Sequence, residues 1–210
     1  MATKTIAWAF ALVCAASVPA IAGPALTGVT PTSAVAPAGA DGTYGFAFTV
    51  INVETIQSLG IYDSGGDGLA GQASVGIWDY ETKTLLASVQ IPSGTAATLV
   101  GDFRYNSIAP LTLQPGTQYI VASYDPLDPV AAVYSAQPGA VTLNDLTSIY
   151  DYYGDGSGLT YPTASSYFAG AWLGANFTTD ALPAVPEPAS LAILGSGLAG
   201  LVSFRRKAKR

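Results

Sequence analysis

Two short acidic segments carry the side chains of this sequence that are best suited to chemistry. Asp63 and Asp67 flank Ser-Gly-Gly, Asp151 and Asp155 flank Tyr-Tyr-Gly, and a glycine follows each second aspartate. Carboxylate oxygens on a flexible loop suit Ca²⁺, and glycine lets backbone carbonyl groups turn toward an ion. Neither segment has the ligand spacing of an EF-hand, and Asp-Gly is also typical of hairpin turns. Calcium sites and ordinary turns are therefore both open interpretations.

Other catalytic side chains are scarce. The chain contains no histidine, and its single cysteine, Cys14, lies near the N-terminus. This excludes Ser-His-Asp triads, histidine-bound zinc and a thiol nucleophile in the central region. A glycoside hydrolase needs only two carboxyl groups, so that activity stays open as an alternative. We expect a protein that is not an enzyme and needs no cofactor, with Ca²⁺ as the one ion to consider.

The N-terminus has the features of a secretory signal peptide over residues 1–22. Lys4 is its only charge, a short apolar run follows, and small residues precede the predicted cleavage site, which is formed by Ala20, Ala22 and Gly23. The apolar run is well below the ~20 residues that a membrane-spanning helix needs. We expect export, after which the mature chain has no cysteine and no disulfide bond.

The C-terminus combines three features in a fixed order. Pro186-Glu187-Pro188 comes first, the uncharged and largely apolar segment Ala189–Phe204 follows, and residues 205–210 are basic. Sixteen helical residues cover ~24 Å, which spans a bilayer when flanking arginines reach toward the lipid headgroups. Cationic flanks stay cytoplasmic, so membrane orientation is set by Arg205, Arg206 and Lys207. Proline on both sides of Glu187 keeps the preceding segment extended and accessible.

This C-terminus resembles the PEP-CTERM sorting signal of Gram-negative bacteria. The resemblance covers about the last twenty-five residues and implies that an exosortase in the cytoplasmic membrane recognises Pro186, Glu187 and Pro188 and removes the tail. Members of that family are commonly associated with exopolysaccharide and biofilm. A plain C-terminal anchor, which keeps the tail, is the alternative.

The region between the two ends is strongly acidic. From residue 23 to residue 185, thirteen acidic side chains accompany only Lys83 and Arg104, which gives a net charge of about −11. Such a domain has no basic patch that could neutralise phosphates. We therefore expect no nucleic-acid partner.

The same region alternates apolar runs with Gly- and Pro-rich turns, which predicts strands. The runs are Tyr44–Val50, Ile56–Tyr62, Ser74–Trp78, Leu85–Ile91, Leu99–Tyr105, Gln118–Tyr124 and Trp172–Thr178. We predict an all-β protein with a single antiparallel β-sandwich of jelly-roll or immunoglobulin-like type. The sandwich covers residues 41–180, between linkers at 23–40 and 181–188, with a signal helix before it and a transmembrane helix after it.

Two local patterns support this fold. Leu113 to Tyr119 reads LQPGTQY and resembles a tyrosine corner, although an ordinary Pro-Gly turn is an equal alternative. The segment GIYDSGGDGL with the later VGIWD resembles uncharacterised extracellular bacterial sandwich domains, which implies a fold and no activity. Trp78 and Trp172 are expected in the core or at its rim, with a sugar-stacking surface as the alternative.

The sequence thus predicts an exported, non-enzymatic surface or extracellular-matrix protein. It is anchored in the cytoplasmic membrane before processing and is then found at the cell surface or outside the cell. We expect an exosortase-like enzyme and an extracellular polysaccharide as partners. The alternatives are an extracellular glycan hydrolase with a carboxylate pair and a permanently anchored protein that binds calcium or carbohydrate.

Overall fold

The computed structural model describes residues 23–30, 33–36, 41–127, 130–134, 141–165 and 170–182. Strands and turns make up this part of the chain, and no helix occurs in it. The predicted all-β class and antiparallel sheets are therefore confirmed. The predicted signal helix and C-terminal helix lie outside these residues. Within them, no helix is long and apolar enough to cross a membrane.

Fourteen strands lie in the described residues. They are β1 (Leu26–Thr27), β2 (Ser33–Ala36), β3 (Gly42–Val50), β4 (Glu54–Tyr62), β5 (Ala73–Asp79), β6 (Leu85–Ile91), β7 (Thr98–Val100), β8 (Phe103–Leu113), β9 (Gln118–Tyr124), β10 (Val130–Tyr134), β11 (Thr142–Leu143), β12 (Leu146–Asp155), β13 (Gly170–Trp172) and β14 (Ala175–Thr178). The larger five-stranded sheet has the order β12-β3-β9-β5-β6, and a four-stranded sheet has the order β14-β4-β8-β7. The remaining strands form a β13-β10-β2 sheet and a β1-β11 pair.

Side chains from the two larger sheets share one hydrophobic core. In β3, Phe46, Phe48 and Val50 alternate along the strand and are all buried, as one face of a pleated strand requires. Ile56 and Leu59 of β4 belong to the same core cluster. Each such side chain contributes about 1.5–3 kcal/mol by leaving water. Whether the strands follow a jelly-roll or an immunoglobulin-like order stays a prediction.

Gly60 allows close packing near the end of β4. A Cβ atom at this position would lie 2.5 Å from the Tyr105 ring, which is fully buried. Side-chain atoms do not approach so closely, and glycine is therefore required where the ring lies against the strand.

Residues 23–40, where the sequence predicts a linker, contain two short strands. These are β1 and β2, and Ala25, Leu26 and Val29 are buried in the main core. Two-residue strands such as β1 carry too little alternation to be predicted from sequence, so the domain begins earlier than expected.

The predicted tyrosine corner is confirmed. The backbone N–H of Gln114 donates a hydrogen bond to the Tyr119 hydroxyl oxygen at 2.9 Å. Tyr119 lies in β9 and is 5% exposed, so the bond closes the Pro-Gly turn onto the strand that follows it.

Candidate functional site

The first acidic segment forms a tight turn after β4. Asp63 is buried, and its backbone N–H donates to the Asp102 carbonyl oxygen at 2.8 Å. The N–H of Gly68 reaches back to both Asp63 carboxylate oxygens, at 3.1 and 3.3 Å. Gly65 and Gly66 have φ values of 86° and 70°, a left-handed conformation that glycine adopts without strain.

Arg104 supplies the charge that balances Asp63. Its Nε donates to Asp63 Oδ2 at 2.6 Å, and both side chains are almost completely buried. The other guanidinium nitrogens donate to the carbonyl oxygens of Ala97 at 3.0 Å and Gly66 at 2.9 Å. The Asp63 carboxylate therefore links the turn to β8 through its ion pair with Arg104. Sequence reasoning noted Arg104 only as one of two central bases and missed this contact.

The predicted calcium ligands Asp63 and Asp67 have different environments. Asp67 is exposed, whereas Asp63 is buried in the ion pair with Arg104. Within the described part of the chain, no group of three or more acidic, histidine or cysteine side chains lies together as a potential metal site. The observed geometry thus favours the turn interpretation of this segment.

Asp151 and Asp155 do not flank a loop, which corrects the sequence interpretation. Both lie in β12, where Asp151 pairs with Phe46 and Asp155 with Gly42 of β3. Residues four apart in a strand are separated by about 13 Å, too far for both carboxylates to bind one ion through ~2.4 Å bonds. Asp151 is buried and accepts a hydrogen bond from Ser165 at 3.3 Å, whereas Asp155 is exposed.

The two tryptophans expected in the core or at its rim are not free aromatic faces. Trp78 is 3% exposed and packs edge-on against Tyr161, with 6.3 Å between ring centroids. Trp172 is half-buried and lies 5.1 Å from the Tyr44 ring. The core-or-rim prediction is therefore confirmed for both, and the sugar-stacking alternative is disfavoured.

The outer face of the five-stranded sheet carries a second apolar cluster. It contains Trp78, Ala47, Ile120 and Ala122, with four partly buried side chains packed against them, namely Tyr80, Tyr152, Leu159 and Tyr161. Leu159 and Tyr161 follow β12 and cover one part of the face. The Tyr80 and Tyr152 hydroxyl oxygens share a hydrogen bond of 2.8 Å. Tyr80 and Tyr152 therefore extend the aromatic cluster beyond the part of the sheet that Leu159 and Tyr161 cover.

A groove of about 550 Å³ opens on the uncovered part of this face. It is lined by Thr49, Glu81, Gly116, Thr117, Gln118 and Tyr150. Tyr150 is 57% exposed, and it pairs with Ala47 of β3, so its side chain lies on the outer face. The sequence indicates Gly116, Thr117 and Gln118 only as part of the Pro-Gly turn and gives no sign of a groove, because the lining comes from three strands and two turns that are distant in sequence.

Glu54 is a buried acid outside the predicted sites. It is 3% exposed, and neither of its carboxylate oxygens receives a hydrogen bond from any described residue. Burial first, and then the neighbouring Asp145 carboxyl group, raises the pKa of Glu54 to about 7. Asp145 itself is held by the Asn52 backbone and side-chain N–H groups, at 3.0 and 2.8 Å.

The beginning and the end of the described domain lie side by side. Gly23, the residue after the predicted signal cleavage site, donates from its N–H to Thr179 Oγ1 at 3.0 Å. The Thr179 N–H donates to the Gly23 carbonyl oxygen at 3.2 Å, and Pro24 forms a β-bridge with Thr178. Ala20 and Ala22 lie outside the described residues.

The predicted sorting and orientation residues also lie outside the described part, which ends at Leu182. These residues are Pro186, Glu187, Pro188, Arg205, Arg206 and Lys207. Their identity rests on sequence comparison, which matches residues 184–207 to the PEP-CTERM protein-sorting motif. The chain carries a PEP-CTERM protein-sorting motif at its C-terminus. The motif indicates an exported protein that is sorted by an exosortase, a membrane enzyme.

Neither a curated protein nor a solved structure matches the chain. The resemblance of residues 44–124 to extracellular sandwich domains therefore stays a prediction.

Proposed function

We propose that this PEP-CTERM protein is a non-enzymatic component of the cell surface or extracellular matrix that associates with exopolysaccharide. In this proposal the exosortase acts at Pro186-Glu187-Pro188 and removes the helix and the basic end. The match of residues 184–207 to the sorting motif is the observation that carries the proposal.

The physical properties of the tail support transient anchoring. Ala189–Phe204 is uncharged and only sixteen residues long, so as a helix of ~24 Å it is shorter than the ~30 Å apolar layer and needs flanking arginines that reach toward the headgroups. The five cations after it favour the cytoplasmic side. Pro186 and Pro188 cannot donate backbone hydrogen bonds, which keeps the segment before the helix extended for an enzyme at the membrane.

The acidic domain supports release after processing. Its net charge of about −11 is repelled by anionic lipid headgroups once the tail is removed. We regard the two large sheets with their shared core as one sandwich that serves as a compact extracellular module.

A binding role fits the groove better than hydrolysis does. Glycoside hydrolases place two carboxyl groups ~5–9 Å apart across the scissile bond. Glu81 is the carboxylate among the described residues that line the groove. The buried pair of Glu54 and Asp145 is also unsuited to hydrolysis, because the Glu54 oxygens are inaccessible to a sugar chain.

The test is an exported, epitope-tagged chain in which Pro186, Glu187 and Pro188 are all replaced by alanine. We expect the variant to keep its tail and to accumulate in the membrane fraction, as the unchanged chain does in a host lacking the exosortase. Fractionation followed by immunoblotting measures both effects.

Pro183→Ala is the matched control, because it removes a nearby proline outside residues 184–207. This variant should be processed like the unchanged chain. Equal release of the triple variant, or release in the host without exosortase, would show that another protease removes the tail. Retention of the unchanged chain in the membrane fraction of its normal host would show that the tail is a plain anchor.

A further inference from the structure

We propose that the groove around Tyr150 is a binding site for an uncharged polysaccharide chain. This inference rests on the proposed association with exopolysaccharide and gives it a location. The groove is about 550 Å³ in volume, which is within the range of ~300–1,000 Å³ for ligand sites. It lies beside the part of the sheet that Leu159 and Tyr161 already cover.

Tyr150 provides the apolar contact for a sugar ring. Its side chain is 57% exposed, whereas Tyr152, two residues further along the same face, is partly buried and bonded to Tyr80. An exposed aromatic face stacks on the C–H groups of a pyranose ring, and the phenol hydroxyl remains available to donate or accept a hydrogen bond. Tyr150 has few rotatable bonds, so little side-chain entropy is lost when a sugar binds.

The remaining lining side chains match the hydroxyl groups of a sugar. Gln118 has both a donor and an acceptor, Thr49 and Thr117 have hydroxyl groups, and Glu81 has a carboxylate that accepts from vicinal hydroxyls. Thr49 and Gln118 are direct partners in the β3–β9 ladder, so their side chains lie on the same face. A polar set combined with one aromatic ring is the chemistry of carbohydrate recognition.

Charge decides the class of polysaccharide. The groove residues include one acid and no base, and the surrounding domain is strongly acidic. A uronate-rich or sulfated chain would be repelled, because no guanidinium or ammonium group in the groove could pair with its anions. An uncharged hexopyranose polymer meets no such penalty.

The sheet holds the groove in a fixed shape. The backbone N–H of Tyr80 donates to the Gln118 carbonyl oxygen at 3.0 Å, which links the turn carrying Glu81 to the start of β9. Gly116, with a φ of 80°, completes the turn closed by the Tyr119 corner. Such preformed sites lose less entropy on binding than flexible loops do.

The test is calorimetric titration of the full chain, purified in a detergent without sugar headgroups, with neutral and anionic hexasaccharides. Cellohexaose, mannohexaose and maltohexaose are the neutral probes, and a mannuronate hexamer is the anionic one. We expect millimolar or tighter binding of at least one neutral probe and none of the anionic probe. Tyr150→Ala should weaken binding about tenfold, whereas Tyr150→Phe, which keeps the ring, should retain it.

Leu99→Ala is the control, because Leu99 is also exposed, at 41%, but lies on β7 of the four-stranded sheet. It should leave the dissociation constant unchanged, and all variants should keep their melting temperature. Absence of heat with every neutral probe, equal affinity in Tyr150→Ala, or preference for the anionic probe would overturn the inference. None of these binding results bears on exosortase processing, which is tested by the Pro186, Glu187 and Pro188 replacements. The binding proposal and the processing proposal can therefore fail independently.

Discussion

Glu54 is the first residue of β4, and its carboxyl group is buried beside Asp145. A carboxylate that is buried without hydrogen-bond partners is costly, and a second acid lies beside it, so the folded chain favours the protonated form of Glu54. The pKa of Glu54 is raised from 4.5 to about 7 in the folded state. Between these two values the folded chain therefore holds a proton that the unfolded chain releases.

This linkage gives a pH dependence with a defined sign. When the folded state binds more protons, stability falls as pH rises, so the loss should occur from about pH 4.5 to about pH 7. Glu54→Gln removes the charge and keeps the shape. We expect it to be neutral near pH 4 and to raise the free energy of unfolding by on the order of 3 kcal/mol at pH 8.

Glu81→Gln is the matched control, since Glu81 is exposed and carries the same charge. Urea unfolding of both variants and of the unchanged chain at a series of pH values measures the effect. Because each variant removes one negative charge, the difference between the two variants separates the burial of Glu54 from the general charge repulsion of the acidic domain. A Glu54→Gln chain that is equally destabilised at pH 4 and pH 8 would contradict the linkage.

The burial of Glu54 beside Asp145 could not be predicted from the sequence. Glu54 begins an apolar run and is typical of a solvated strand end, and Asp145 is ninety-one positions away. Asp145 approaches it because a positive φ of 59° turns the chain between β11 and β12. Long-range backbone geometry of this kind has no local sequence signal, and the same holds for Tyr150 in its groove.

At the scale of elements, Asp63 and Arg104 join the end of β4 to β8. The two strands are already neighbours in the four-stranded sheet, and Tyr62 pairs with Phe103 next to the ion pair. The guanidinium also holds the carbonyl oxygens of Ala97 and Gly66, so one side chain fixes the turns on both sides of it. Removing one partner of a buried pair leaves the other charge unbalanced.

Asp63→Asn should therefore destabilise the domain by about 3–5 kcal/mol, because the Arg104 charge stays buried without a counter-charge. Asp67→Asn, in the same turn but exposed, is expected to change stability by less than about 0.5 kcal/mol. Urea unfolding at pH 7 measures both values. A small effect of Asp63→Asn, or similar losses in both variants, would mean that the ion pair does not hold the turn.

Strands with clear alternation are predicted well from the sequence. Leu85–Ile91 and Gln118–Tyr124 have the predicted bounds, and the run Ser74–Trp78 is extended by one residue at each end. The run Leu99–Tyr105 is divided between β7 and β8, because Gly101, with a φ of 59°, and Asp102 form a tight hairpin turn. The Gly101-Asp102 pair inside this apolar run is the sequence feature that indicates a turn at this point.

β12 was missed for a different physical reason. Its sequence LTSIYDYYGD contains two aspartates and a glycine, which are typical of a turn. Pairing with β3 overrides that preference, and Asp151 is accommodated in the strand by Ser165. Tertiary contacts determine whether a polar segment forms a strand, so the sequence pattern alone cannot distinguish β12 from a loop.

At the scale of the whole molecule, the chain combines a C-terminal sorting motif with an acidic, β-rich domain. The signal could be identified from sequence because its three parts are contiguous and depend on hydrophobicity, charge and proline geometry. The groove could not be identified, because its residues converge only through folding. Gly23 and Thr179, near the two ends of the described domain, are hydrogen-bonded neighbours, which sequence separation alone does not indicate.

The most direct test of processing is the intact mass of the chain recovered from the surface and the medium of its host. The account predicts a mass that begins at Gly23 and ends between residues 185 and 188, with or without an added group at the new C-terminus. A mass that extends to Arg210, found in the membrane fraction, would contradict it and would make the tail a permanent anchor.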